Sequence, residues 1–238
     1  WAESLFRAMT CLHPTLKRGE IKLELIANHI SKTIRGKVIL RDVSLHLQSG
    51  TVYGFVGRNG SGKTMLFRAL SGLMTLSSGS VLWEGKELHK DFSVLPSMGI
   101  VLENVGLYPE LTGMENLQYL GKLSGKSGVE DMRRALLRVG LDPDDKRTYK
   151  KYSLGMKQRL SIAQAIMEHP DVIMLDEPTN GLDEDGVRQI RELILEEKVR
   201  GALILLASHS KEDLSLLADH LFRMDAGVLT KQEERDEE

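Results

Sequence analysis

The chain has 238 residues, 41% hydrophobic and 28% charged, with a formal net charge of −2, which suits one soluble globular unit with room for a subdomain and leaves no basic footprint for nucleic acid. Cys11 is the only cysteine, so a disulfide framework is excluded and a reducing, cytosolic setting is the simplest expectation. The longest apolar runs, such as residues 202–207, are too short to span a bilayer, so any work at a membrane calls for a spanning partner.

Residue 1 is Trp, and Trp1, Leu5, Met9 and Leu12 share one helical stripe that Pro14 ends. Residues 1–20 are expected to be an extension of vector-derived or poorly ordered sequence; a surface or membrane-facing helix is the alternative. Residues 21–30 and 38–47 read as strands, with Val43, Leu45 and Leu47 alternating in the second. A turn at Ser49 and Gly50 leads into a short buried strand over 51–56, and residues 65–70 open a helix. Beyond a turn at 77–79, residues 80–86 predict a hairpin in which Trp83 packs, and residues 98–102 are again strand-like. From Leu107 to about Met167 apolar residues recur at three- and four-residue spacing, notably over 114–120 and 129–139, which predicts a helical insertion in an α/β core. Strands return at 172–175 and 201–207, around a helix over 186–198 that carries Val187, Ile190, Leu193 and Ile194 on one side. The tail 231–238 reads as solvated and frayed. No repeat and no long linker divides the chain, so residues 21–230 are expected to form a single domain with a helical subdomain at about 105–167.

Residues 57–64 read Gly57, Arg58, Asn59, Gly60, Ser61, Gly62, Lys63, Thr64 and fit G-x-x-x-x-G-K-[ST], a loop that holds nucleotide phosphates. Its glycines let the backbone curl and turn N–H groups toward anionic oxygens. Lys63 supplies a charge for the β- and γ-phosphates, Thr64 a hydroxyl for Mg²⁺, and the helix beginning near Met65 adds its dipole. The bland alternative is a glycine-rich turn that binds nothing, and the flanking strand and helix weigh against it.

The apolar run 172–175 ends in Asp176 and Glu177. Ligands of open α/β sheets sit at the carboxyl ends of strands, which places Asp176 to hold Mg²⁺ and Glu177 to orient and deprotonate a water. His209 follows the next strand, and its imidazole can donate to a γ-phosphate oxygen. Ser153 and Gly155 precede an apolar helix face of Leu160, Ala163, Ile166 and Met167. They suit either an anion site or an ordinary helix cap, and spacing alone leaves both open.

Together these residues resemble the ATP-binding cassette (ABC) ATPases, the nucleotide-binding subunits of ABC transporters, from about Leu23 to Leu229 and in the family's motif order. Residues 57–64 resemble its Walker A motif, 173–177 its Walker B motif and catalytic glutamate, 153–156 its signature, 180–183 its D-loop and His209 its switch histidine. The resemblance implies an α/β fold: a P-loop NTPase (RecA-like) core with an antiparallel β subdomain and a helical insertion. It further implies ATP and Mg²⁺ as ligands and a head-to-tail dimer. In that dimer residues 57–65 of one copy and Ser153, Gly155, Met156 and Asp183 of the other enclose each nucleotide.

A transmembrane permease would be the further partner, with the chain peripheral on the cytoplasmic face and residues 103–115 as docking face. Three positions depart from the family pattern. Glu103 stands where Gln is usual and can still reach Mg²⁺; Leu154 replaces a signature glycine; and Ile34 stands where an aromatic stacks on adenine. Glu103 with Tyr152-Ser-Leu-Gly-Met156 is similar to the branch that exports bacitracin, lantibiotics and other peptide antibiotics. The expected function is an ATPase that powers export through a separate membrane protein. A soluble ABC-type switch is the alternative, and a silent nucleotide-binding regulator is disfavoured because Lys63, Asp176, Glu177 and His209 are all present.

Overall fold

The computed structural model describes residues 22–102 and 106–232. The stripe Trp1 to Leu12, the docking residue and metal candidate Glu103, and the tail beyond Gln232 lie outside the described residues.

In chain order, β1 (Glu24–Ile34) and β2 (Lys37–Gln48) form a long hairpin, β3 (Val52–Val56) leads into α1 (Lys63–Ser71), and β4 (Ser78–Trp83) with β5 (Lys86–Glu87) makes a second hairpin. The strand β6 (Met98–Val101) precedes three helices, α2 (Gly113–Ser124), α3 (Val129–Arg138) and α4 (Leu154–Ile166). Then follow β7 (Val172–Asp176), α5 (Glu184–Arg200), β8 (Leu203–Ala207), α6 (Lys211–Leu217), β9 (His220–Asp225) and β10 (Val228–Gln232).

The first hairpins form an antiparallel sheet, β2-β1-β4-β5, and the rest a six-stranded sheet, β10-β9-β3-β8-β7-β6. From β9 to β6 every neighbour in the second sheet is parallel, with β10 as an antiparallel edge. Parallel strands need helices on their faces, so their side chains are buried both ways; β7 and β8 are buried at every position. The two-residue period sorts them. Leu203 and Leu205 join Phe55, Phe67 and the antiparallel sheet in one core. Ile204 and Leu206 join Leu160, Ile190 and Leu136 in another, under the helices. Gly99 lets α4 lie directly on β6, because a Cβ there would overlap the Ala165 carbonyl.

The fold is the expected α/β arrangement, and Trp83 packs in the core at 7% exposure. Three details differ from the expectation. The strand β1 runs on to Ile34, α4 begins at Leu154 so that Gly155 lies inside it, and α6, β9 and β10 have no counterpart in the sequence pattern. Their signals are short: Ser210 caps α6 by accepting from Asp213 N–H, and Ala226 and Gly227, both at positive φ, turn β9 into β10. What matters for the site is strand order. Because β8 lies between β3 and β7, the loops that leave these three strands share one edge, with the β8 loop in the middle.

Candidate active site

The loop after β3 has the chemical features of an anion site. Gly62 caps α1 at φ 117°, a left-handed conformation that side chains resist, and no side chain caps the helix. The first-turn N–H groups of Lys63, Thr64 and Met65 therefore lack the partner that an ordinary cap supplies. Lys63 is 6% exposed, and its Nζ donates to the Gly57 carbonyl at 2.6 Å. Beside it the buried Ser61 Oγ has no hydrogen-bond partner. A buried hydroxyl without a partner costs free energy, and a phosphate oxygen on this loop would relieve it. Arg58, Asn59 and Gly60 form the exposed tip.

The acids arrive from β7. Asp176, 8% exposed, accepts from Thr64 Oγ1 at 2.5 Å, so strand end and phosphate loop present a carboxylate and a hydroxyl at one point. Hard oxygens of this kind suit Mg²⁺ completed by phosphate and water. Glu177 follows at φ 51°, its N–H donating to the Ala207 carbonyl at 2.9 Å. One carboxylate oxygen, Oε2, accepts from the His209 N–H at 3.2 Å. The other, Oε1, is buried without a hydrogen-bond partner and lies 3.3 Å from His209 Nε2, outside hydrogen-bond geometry. His209 Nε2 instead pairs with Asn59 Oδ1 at 2.7 Å.

Burial raises the Glu177 carboxyl pKa above the usual range. The His209 N–H, the His209 imidazole and Lys63 oppose that shift, and Asp176 adds to it. The arrangement can hold a water against a carboxylate poised to accept its proton.

The remaining candidates fall elsewhere. Ser153 Oγ accepts from Met156 N–H at 3.2 Å and caps α4, the helix-cap alternative. With Gly155, Met156 and Asp183 it lines a cavity of about 630 Å³ that includes no residue of 57–65. Asp183 caps α5 by accepting from Gly186 N–H at 3.0 Å, and Arg159 also donates to it, at 3.3 Å. Ile34 ends β1, 38% exposed. It is not among the residues lining the cavity of about 470 Å³ beside Gly60 and Ser61, whose walls come from 36–41 and 226–227. One contributor escaped sequence reasoning. Gln158 Nε2 donates to the carbonyls of Glu177 and Pro178 at 3.1 and 3.2 Å, pinning the acidic loop to α4, and no local pattern marks it.

Fold and site define a P-loop NTPase. The sequence profile described as ABC transporter matches residues 40–180. The chain is similar to the Bacillus subtilis ABC transporter ATP-binding protein YybJ, 44% identical over 86% of this chain and 94% of that protein. It is also similar to the Enterococcus faecalis bacitracin transport ATP-binding protein BcrA (38%; 86% and 67%). The Streptococcus pyogenes lantibiotic transport ATP-binding protein SrtF is 35% identical (87% and 90%). A solved ATP-binding subunit of an ABC transporter superposes with TM-score 0.80 at 27% identity, covering 90% of this chain and 91% of that one. The chain belongs to the ABC transporter family.

Proposed function

We propose that the shared edge of β3, β8 and β7 binds Mg-ATP through residues 57–65 and hydrolyses it with Glu177 as general base and His209 as its partner. The chain is an ATP-binding, ATP-hydrolysing subunit of an ABC transporter. One observation carries the assignment of roles: Thr64 and Asp176 meet at 2.5 Å while Glu177 and His209 adjoin the same loop. Lys63 neutralises the outer phosphates, the free N–H groups of α1 hold their oxygens, and Ser61 gains a partner. Thr64 and Asp176, with Glu103 as a further oxygen, would hold Mg²⁺, which would offset charge on the phosphates. Glu177 takes the proton of the attacking water while His209 and Asn59 fix the γ-phosphate side.

Ser153, Gly155, Met156 and Asp183 line a cavity without the phosphate loop, which supports their serving the nucleotide of a second copy in a head-to-tail dimer. No helix among the described residues is long and apolar enough to cross a membrane, which fits a permease as separate partner and a peripheral position on the cytoplasmic face. Bacitracin and lantibiotic transport proteins among the relatives support export of a peptide antibiotic or drug. Residues 21–230 would be one ATPase domain, its helical part at about 105–167. Residues 1–20 and 231–238 would lie outside it.

Glu177→Gln tests the reading. It is expected to keep ATP binding, to lose turnover by about 10²–10⁴-fold and to accumulate as a closed dimer in size-exclusion chromatography. Normal turnover from a monomer would refute it.

A further inference from the structure

A second polar cluster lies just behind the hydrolytic pair. Asp213, on α6, is 1% exposed, and a carboxylate so deeply buried is tolerated only with charge and hydrogen-bond partners. Thr179 Oγ1 donates to its Oδ2 at 2.6 Å, and Arg191 Nε, from α5, donates to its Oδ1 at 2.7 Å. Arg191 also reaches Glu212 at 3.0 Å. The Asp213 N–H donates to Ser210 Oγ at 3.1 Å, and the Ser210 N–H to Ser208 Oγ at 3.0 Å. Each anchored segment carries a catalytic group: Thr179 follows Glu177 by two positions, and Asp213 follows His209 by four.

We propose that Asp213 is a positioning residue for hydrolysis, which through Thr179 and Arg191 locks the Glu177 segment to the His209 segment. The proposal rests on the reading of Glu177 and His209 as the hydrolytic pair. A cavity of about 490 Å³ lined in part by Thr179, Leu182, Arg191, Ser210 and Asp213 opens beside the bridge. Buried ion pairs add little net stability, so the bridge serves geometry. Thr179 also lies between Glu177 and the Asp183 cap of α5. A shift of the 180–183 loop therefore reaches the start of α6, just after His209, through the Thr179–Asp213 hydrogen bond.

The test is steady-state ATPase kinetics of the full chain with Thr179→Val, which removes one O–H at nearly constant volume. The expected result is a fall in kcat of about tenfold, KM for ATP within about twofold, and restoration by Thr179→Ser, since small displacements of reacting groups cost rate rather than binding. An unchanged kcat in Thr179→Val, while Glu177→Gln abolishes turnover, overturns the proposal. So does a joint loss of kcat, ATP affinity and melting temperature, the mark of a residue that only supports the fold. Turnover retained by Glu177→Gln would instead sink the reading beneath it, and the proposal with it.

Discussion

Two helix N-termini carry the motifs of this chain, and they are built in opposite ways. At α1 the cap is Gly62, with no side-chain acceptor and no acidic residue in the first turn, and Ser61 Oγ is buried without a partner. At α4 the cap is Ser153, whose hydroxyl already accepts from Met156 N–H, and the next residue, Leu154, is 70% exposed. The first end has no side-chain cap, an unpartnered buried hydroxyl and a buried lysine beside it, features that suit an anion. The second is a finished cap on an open surface, with no acid or lysine of 57–65 or 176–177 near it in its cavity. A helix dipole is common to both; what differs is whether one copy of the chain supplies everything else.

Lys63→Ala breaks the α1 side outright and has the largest effect on binding. Charged hydrogen bonds of about 1.5–3 kcal/mol are lost, and no other lysine among the described residues is buried. Loss of the upper value weakens ATP binding about a hundredfold, measurable by calorimetric titration with Mg-ATP. Affinity within error of wild type would mean that phosphate does not lie on this loop.

The pH profile sharpens the contrast further. Burial lifts the Glu177 carboxyl pKa above the usual range, and a general base acts deprotonated. The kcat/KM for ATP is therefore expected to rise with pH through that raised pKa and to fall below it, giving an acid limb above the ordinary carboxylate range. Ser153→Ala should leave the limb in place, since no titratable group of the α4 end contributes to it. A limb at the ordinary carboxylate position would show that Glu177 is solvated during turnover and would remove the case for its role.

The parts of this site that could be read in advance share a physical reason. The octapeptide 57–64 is a contiguous backbone device, and Asp176, Glu177 and His209 follow apolar strands whose ends define a sheet edge. Local pattern suffices for both. The parts that could not be read are long-range hydrogen bonds. Gln158 holds the carbonyl of Glu177 across 19 residues, and Thr179 meets Asp213 across 34; each is an ordinary polar residue until the fold closes. Likewise α6, β9 and β10 are short, and β9 and β10 are largely exposed, so pairing of β9 on β3 and of β10 on β9, rather than periodicity, brings the strands into order. At Ser153 the sequence allowed an anion site or a cap, because Ser before a helix serves both. The start of α4 at Leu154 makes it a cap in one copy.

That last distinction yields the smallest and most discriminating effect. Loss of a serine cap costs about 1 kcal/mol of stability, so Ser153→Ala should lower the denaturation midpoint modestly. Because the cavity that Ser153 lines includes no residue of 57–65, ATP affinity of a dilute monomer should stay within about twofold of wild type. Turnover under dimerising conditions should fall, since the hydroxyl would there face a neighbour's phosphate. If monomer affinity drops as it does for Lys63→Ala, the two helix ends serve one nucleotide in one copy, and the contrast between a complete receptor and an incomplete one is gone.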